Sequence, residues 1–257
     1  MPIAVAVSGA RGRVGREIVA ALRDAAAFAC VAEVDAGDDL AALLDSSGAE
    51  VLVDFTTPSA GLGNALTAVA HGVRPVVGTT GLGAEAVDRI RSACAAASLG
   101  GCVAPNFALG AALLMWLSEL CAPHFERAEI IEAHHAGKLD APSGTALTTA
   151  RRLLAARGGR EFLHPVAETE TLPGTRGGEL GGVGVHSLRL DGVVADQSVI
   201  FGAAGQTLEL THRTTSRTAF APGVLLACRA VVDTPRFYES LEQVLGLPEP
   251  GEVRRLH

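Results

Sequence analysis

The densest chemistry in the chain is the run Glu132-Ala133-His134-His135-Ala136-Gly137-Lys138-Leu139-Asp140-Ala141-Pro142-Ser143-Gly144-Thr145. Its two imidazoles can accept and return a proton near neutral pH. Lys138 is the only lysine among 21 basic side chains, and every other one is arginine. An ammonium can lose its proton when burial lowers its pKa, which a guanidinium cannot do, so this position points to proton transfer or to a tight anion contact. Pro142, Ser143, Gly144 and Thr145 compose a helix start, where N–H groups, hydroxyls and the helix dipole form a seat for a carboxylate or phosphate. Ser143 and Thr145 fit ordinary helix capping as well, and the two histidines fit hydrogen-bonded core positions.

A second constellation lies at the other end of the chain. Gly9, Ala10, Arg11, Gly12, Arg13, Val14 and Gly15 follow a strand-like run and open a helix, a GxxGxxG form of the dinucleotide turn. Missing Cβ atoms there let backbone N–H groups approach a pyrophosphate. Asp35, 20 residues beyond Gly15, is placed to accept from a ribose 2′-hydroxyl, whereas Arg11 and Arg13 are suited to a 2′-phosphate. The signals oppose each other and predict use of NADH, NADPH or both. Gly78-Thr79-Thr80-Gly81, Ala104-Pro105-Asn106-Phe107 and Asp54-Phe55-Thr56 fall at the ends of later strands, where a doubly wound sheet lines its cofactor crevice. Each also fits an ordinary turn.

The elements that must hold these residues are read from hydrophobic period and turn signals. Strands are expected at Ile3–Ser8, Ala29–Val34, Val51–Phe55, Pro75–Val77 and Cys102–Ala104. Helices are expected at Val14–Ala26, Ala60–His71 and Ala84–Ala97. This alternation is the βαβ pattern of a parallel sheet. After Pro105 the texture changes to an apolar helix (108–120), a strand (128–134), a helix (144–157) and a glycine-rich loop through Gly182. The strands Val183–Leu190, Val193–Phe201 and Thr207–Arg213 follow and predict a mostly antiparallel sheet. Pro222–Val232 and Phe237–Leu245 read as helices, able to pack back on the first domain. The fold class is α/β, a Rossmann-like doubly wound parallel sheet with a second α+β domain on a mixed or antiparallel sheet.

Length and charge narrow the function classes. A chain of 257 residues holds one to two domains. A net charge of −7 offers no basic footprint, which argues against nucleic acid and anionic membrane as partners. The longest apolar stretch, Phe107–Leu117, is short of the roughly 18 residues that a membrane span needs. No basic leader with a cleavage site precedes Ile3, so a cytoplasmic location is expected. Cys30, Cys94, Cys102, Cys121 and Cys228 have no metal-ligand spacing and read as reduced apolar residues, so no metal is expected. His71, His124, His164, His186, His212 and His257 share no ligand spacing either, and Met115-Trp116 sits in an apolar helix; all read as structural or surface residues.

The strings GARGRVG, GTTG, APNFALG and above all EAHHAGKLDAPSGTA resemble the dihydrodipicolinate reductase family of the bacterial lysine and diaminopimelate route. The resemblance implies NAD(P)H-dependent reduction of 4-hydroxy-tetrahydrodipicolinate, a small dicarboxylate, with loss of water. It implies His134 as proton donor/acceptor and Lys138 as proton donor, with His135, Ser143, Gly144 and Thr145 binding substrate. It also implies cofactor contacts from Gly9–Gly15, Asp35, Phe55, Gly78–Thr80 and Ala104–Phe107. Residues 1–107 would then be the dinucleotide-binding domain, completed by 218–257, and 108–217 the substrate-binding and oligomerisation domain of a homotetramer. With hydride donor and acid on different domains, catalysis is expected to depend on domain closure. Family members often carry a basic or histidine residue where this chain has Ala136-Gly137. Two other readings stay open: a different two-domain NAD(P)-dependent dehydrogenase of the amino-acid type, such as aspartate dehydrogenase, and a non-catalytic dinucleotide sensor. Both histidines and the single lysine argue against the sensor.

Overall fold

β-Branched, alanine-spaced runs form the strands of the first unit because both faces of its sheet are covered. Val5, Ala6 and Val7 of β1 (Ile3–Ser8) and Val51, Leu52 and Val53 of β3 (Val51–Asp54) are wholly buried. Along the chain the elements run β1, α1 (Gly15–Asp24), β2 (Phe28–Val34), α2 (Leu40–Ser47), β3, α3 (Pro58–Ala70), β4 (Arg74–Val77), α4 (Ala84–Ala96) and β5 (Gly101–Val103). Next come α5 (Leu109–Cys121), β6 (Arg127–His134), α6 (Gly144–Ala156), β7 (Gly178–Leu180), β8 (Val183–Arg189), β9 (Ala195–Ala203) and β10 (Gln206–Thr214). The chain ends with α7 (Ala221–Asp233), β11 (Phe237–Tyr238), α8 (Leu241–Val244) and α9 (Pro250–Val253). This computed structural model describes residues 1–165 and 169–253.

The first sheet is parallel throughout, in the order β11-β5-β4-β3-β1-β2. Ser8 lies opposite Asp54, and Asp54 opposite Val77. The loops after β1, β3 and β4 therefore leave one edge of the sheet together, as the doubly wound reading requires. The second sheet, β10-β9-β6-β8-β7, is mixed: β6 and β8 are parallel and the other three pairings antiparallel. Its core face, with Ile130, Val199 and Phe201, packs with Leu114 and Met115 of α5 and Ala146 and Leu153 of α6. Met1–Leu109 with Arg217–Leu247 make one unit, and Gly110–Ser216 with 248–253 make the other. Among the described residues no helix is long and apolar enough to cross a membrane. The five cysteines are free thiols, and burial alone pushes Cys94 up to about 11 and Cys102 up to about 12.

Two expectations are corrected, and one helix was not foreseen. Phe237–Leu245 is not one helix: Phe237 and Tyr238 pair in parallel with Gly101 and Cys102, and only Leu241–Val244 is helical. An open sheet edge outweighs local helix propensity there, and Gly101 has no Cβ to collide with the Phe237 ring, 3.0 Å from where one would stand. The stretch expected as a loop through Gly182 contains β7, because Gly181 (φ +59°) and Gly182 (φ +80°) turn the chain back along β8. Helix α2 was not expected, although Asp39 caps it at Ala42 N and Gly48 (φ +66°) ends it. The first unit takes back Arg217–Leu247. Pro248 belongs with the second unit, its carbonyl accepting from Trp116 Nε1 at 2.8 Å. Residues 254–257, and with them His257, lie outside the described residues.

Candidate active site

In the first unit the turn after β1 is shaped by missing atoms. A Cβ on Gly9 (φ +78°) would stand 2.6 Å from the Phe55 carbonyl oxygen, and one on Gly15 would stand 2.0 Å from that of Gly9. Gly12 N donates to Gly9 O at 2.9 Å and closes the turn. Val14, the residue before α1, makes no side-chain capping bond. Arg16 N donates to the Gly12 carbonyl (3.1 Å), and no side chain at Val14 caps the rest of the helix start, which keeps its dipole directed at the turn. A pyrophosphate fits this cradle. Asp35 and Arg11, read as rivals for the ribose, meet each other: Arg11 N donates to both Asp35 oxygens (3.2 and 3.3 Å), and its Nε lies 3.5 Å from Oδ2. Arg13 is exposed nearby in sequence, and Ala10 is buried.

The next loops are tied together by Asp54, fully buried at the end of β3. It accepts from Thr79 Oγ1 (2.6 Å), Asn64 Nδ2 (2.7 Å), Thr56 Oγ1 (2.9 Å) and Thr56 N (3.2 Å). The Phe55 ring occupies the space a Gly78 Cβ would take and lies 5.9 Å from the Phe107 ring. Thr79, Thr80, Ala104 and Pro105 share one cavity of about 160 Å³ with Gly81 and Glu239. Asn106 turns its Oδ1 back to accept from Ala108 N (2.8 Å). Apart from Asn106, the expected cofactor residues therefore fall into three groups within one unit: the glycine turn with Asp35, the aromatic contact of Phe55 with Phe107 over Gly78, and the cavity.

In the second unit His134 ends β6, Lys138 lies in the loop that follows, and Ser143 caps α6 by accepting from Ala146 N (3.2 Å). Lys138 N donates to the His135 carbonyl (3.0 Å), making a tight turn, and Lys138 Nζ donates to Asp140 Oδ1 (2.7 Å). That bond from Lys138 holds the Asp140 carboxyl below its usual range. A Cβ on Gly144 would meet nothing within 4 Å, and one on Gly137 only His135, at ordinary contact distance. The Ala136-Gly137 departure thus leaves the turn intact. Thr145 is half-buried in the first turn of α6, and its carbonyl accepts from Thr149 Oγ1 (2.9 Å).

Beneath this loop sits Glu132, with no exposed surface. Oε2 lies 2.5 Å from His134 Nδ1 and accepts from Arg189 Nη1 (3.0 Å). Oε1 accepts from Arg189 Nη2 (2.9 Å) and Ser143 N (3.1 Å). Burial pushes this carboxyl up, but hydrogen bonds from Arg189, Ser187 and His134 outweigh it and hold the pKa below the usual glutamate range. Arg189 also donates to the Asp140 carbonyl (2.6 Å). Sequence reasoning singled out neither Glu132 nor Arg189 nor Asp140. Glu132 and Asp140 lay inside the chemical run and could have been found there as acceptors for its cations, whereas nothing local distinguishes Arg189.

Comparison with known proteins adds two family models: "Dihydrodipicolinate reductase, N-terminus" matches residues 3–107, and "Dihydrodipicolinate reductase, C-terminus" matches residues 110–245. The 4-hydroxy-tetrahydrodipicolinate reductase of Corynebacterium efficiens is 47% identical over 251 residues, covering 96% of this chain and 100% of that protein. The enzyme of the same name from Moorella thermoacetica is 46% identical over 263 residues, covering 95% and 98%. Among solved structures, a dipicolinate-bound dihydrodipicolinate reductase from Paenisporosarcina sp. TG-14 superposes with a TM-score of 0.85 at 34% identity, covering 95% of this chain and 99% of that one.

Proposed function

The chain belongs to the dihydrodipicolinate reductase family, and from that premise we propose how its own side chains carry the family's reaction. It reduces 4-hydroxy-tetrahydrodipicolinate, a small dicarboxylate, to tetrahydrodipicolinate in the lysine and diaminopimelate route, with NADH or NADPH as reductant. The nicotinamide, when bound, supplies the hydride. Gly9 to Gly15 would hold the pyrophosphate and Asp35 with Arg11 the adenosine ribose. Phe55, Gly78 to Thr80 and Ala104 to Phe107 would bound the nicotinamide end.

In the second unit, Ser143, Gly144 and Thr145 at the start of α6 would seat a substrate carboxylate, with His135 beside them. Lys138 would donate the proton that accompanies reduction, and His134 would donate and accept protons as water leaves. The observation that carries this reading is the single segment from Glu132 to Thr145, in which a buried carboxylate anchors both the His134 ring and the helix start. A purified sample is expected to oxidise NADH or NADPH only when the dicarboxylate substrate is present. Absence of turnover with both nucleotides would overturn the assignment.

Two further properties belong to the same reading. The face of the second sheet turned away from α6 alternates Ile131, Ser198, Ile200 and Thr211, half-buried or exposed in one chain. A homotetramer joined there would cover it. Light scattering of the eluted protein is expected to give four chains per particle, and a monomer would remove this part. A cytoplasmic location is in keeping with a biosynthetic route supplied by soluble nicotinamide.

A further inference from the structure

We propose that Glu132 is a positioning residue for the reduction: one buried carboxylate sets which nitrogen of His134 exchanges protons and, through Ser143, holds the start of α6 against it. The inference rests on the reading of His134 as proton donor and acceptor. Glu132 is fully buried and its two oxygens receive Arg189 twice, Ser143 N and His134 Nδ1 at 2.5–3.1 Å, with the Ser187 hydroxyl beside them. That is the full acceptor capacity of an ionised carboxylate. The paired guanidinium keeps it ionised, since an unpaired buried charge would be costly. An ionised carboxylate only accepts, so the Nδ1 it faces must carry hydrogen, and the proton that comes and goes is left to Nε2.

The register explains how the pieces meet. Glu132 lies opposite Ser187 and His134 opposite Arg189 on β8, so the arginine reaches back along the strand to Glu132. Glu132 and His134 are two residues apart on β6 and share one face of the sheet. A fold that needed only to join β6 to β8 could do so with an apolar pair at equal or lower cost. An ion pair here makes sense for what it does to the ring and the helix start. The positive charge of Arg189 also cancels that of the carboxylate, so an anionic substrate at α6 meets no net repulsion from Glu132.

The intact protein gives the first test. Long-range ¹H–¹⁵N spectra of ¹⁵N-histidine-labelled enzyme are expected to show neutral His134 as the Nδ1–H tautomer, and an Nε2–H tautomer would overturn the proposal. Glu132→Gln keeps the shape and an acceptor for Ser143 N, but its amide N–H₂ turned to the ring demands an acceptor at Nδ1. We expect kcat to fall about 100-fold while KM for the dicarboxylate moves less than about threefold. In a His134→Ala background the same change is expected to cost less than about threefold, whereas equal losses in both backgrounds would overturn the proposal. If Glu132→Gln fails to fold with Arg189 unpaired, Glu132→Gln/Arg189→Met removes the stranded charge and is read in the same cycle. Near-normal turnover of His134→Ala alone would instead overturn the role of His134, a different outcome from any of these.

Discussion

Helices α1 and α6 both begin just past the end of a sheet strand, yet their starts are made in opposite ways. At α1 the turn is cleared of side-chain atoms: Gly9 and Gly15 leave no room for a Cβ, and no side chain caps the helix. At α6 the protein supplies part of the start itself. Ser143 caps the first turn, and its own N–H is taken by a buried, arginine-paired Glu132. The first start is shaped by steric necessity within seven residues. The second is shaped by charge, drawn from three places in the chain. Steric sites tolerate no added atom, whereas charge-built sites tolerate added atoms and fail when one partner is lost.

Substitutions can break that contrast, and the largest effect is expected where protons move. Lys138→Ala and His134→Ala should each lower kcat by about 10²–10⁴ in steady-state assays; near-normal rates in both would reduce the α6 start to a capped helix. Gly15→Ala comes next. Its Cβ would collide with Gly9 O, and forcing an atom into packed structure costs about 1–3 kcal/mol. A lower melting temperature and at least about a tenfold rise in KM for either nucleotide are expected.

Arg11→Ala should raise KM for NADPH about tenfold, since a charge-assisted hydrogen bond contributes roughly 1.5 kcal/mol or more, and change NADH less. Initial rates with the two nucleotides check this, and equal effects on both would make the Arg11–Asp35 pair structural. Acid should then weaken the second unit. Glu129, three residues before Glu132 on β6, accepts from Arg176 Nη2 (2.6 Å) and faces His186 Nε2 (2.8 Å); burial raises and these partners more strongly lower its pKa, as at Glu132, so both are depressed in the folded state. Their stabilisation is complete above the unfolded glutamate pKa of about 4.3 and is lost as pH falls through the lower folded values. Melting curves between pH 7 and 3 should hold level and then fall below that point, and a fall beginning near neutrality would contradict the sign. The smallest effect belongs to Gly144→Ala. With nothing within 4 Å of the new Cβ and up to about 1 kcal/mol of added helix propensity, stability should hold or rise. A rise of a few-fold in KM for the dicarboxylate would then report on the anion seat alone.

Much of the fold could be read from the chain because its signals are local. The alternation of β-branched runs and alanine-rich helices gave strands and helices to within one or two residues, from Ile3–Ser8 through to Ala221–Asp233. Two of the failures share a cause, and the third, α2, carried local signals in Asp39 and Gly48. Phe237 and Tyr238 look helical beside Leu241 until the free edge of β5 captures them, and β7 is too short and glycine-rich to be seen without β8 beside it. Within the candidate site, His134, Lys138 and Ser143 stood out by type and spacing. Asp54 stood out only as part of a strand end: its role in holding Thr79 to Thr56 depends on strands β3 and β4 being adjacent.

The amino-acid sequence by itself settled what acts over a few residues: the glycine turn, the helix start after Pro142, the single lysine, and the motif that marks the family. Tertiary structure alone decided which charges meet. Arg189 finds Glu132 across 57 positions and Asp35 meets Arg11 across 24. The reason is physical. Backbone sterics and hydrogen-bond period are properties of neighbouring residues, while Coulomb attraction and burial depend on distance through space, which exists only once the sheets have formed.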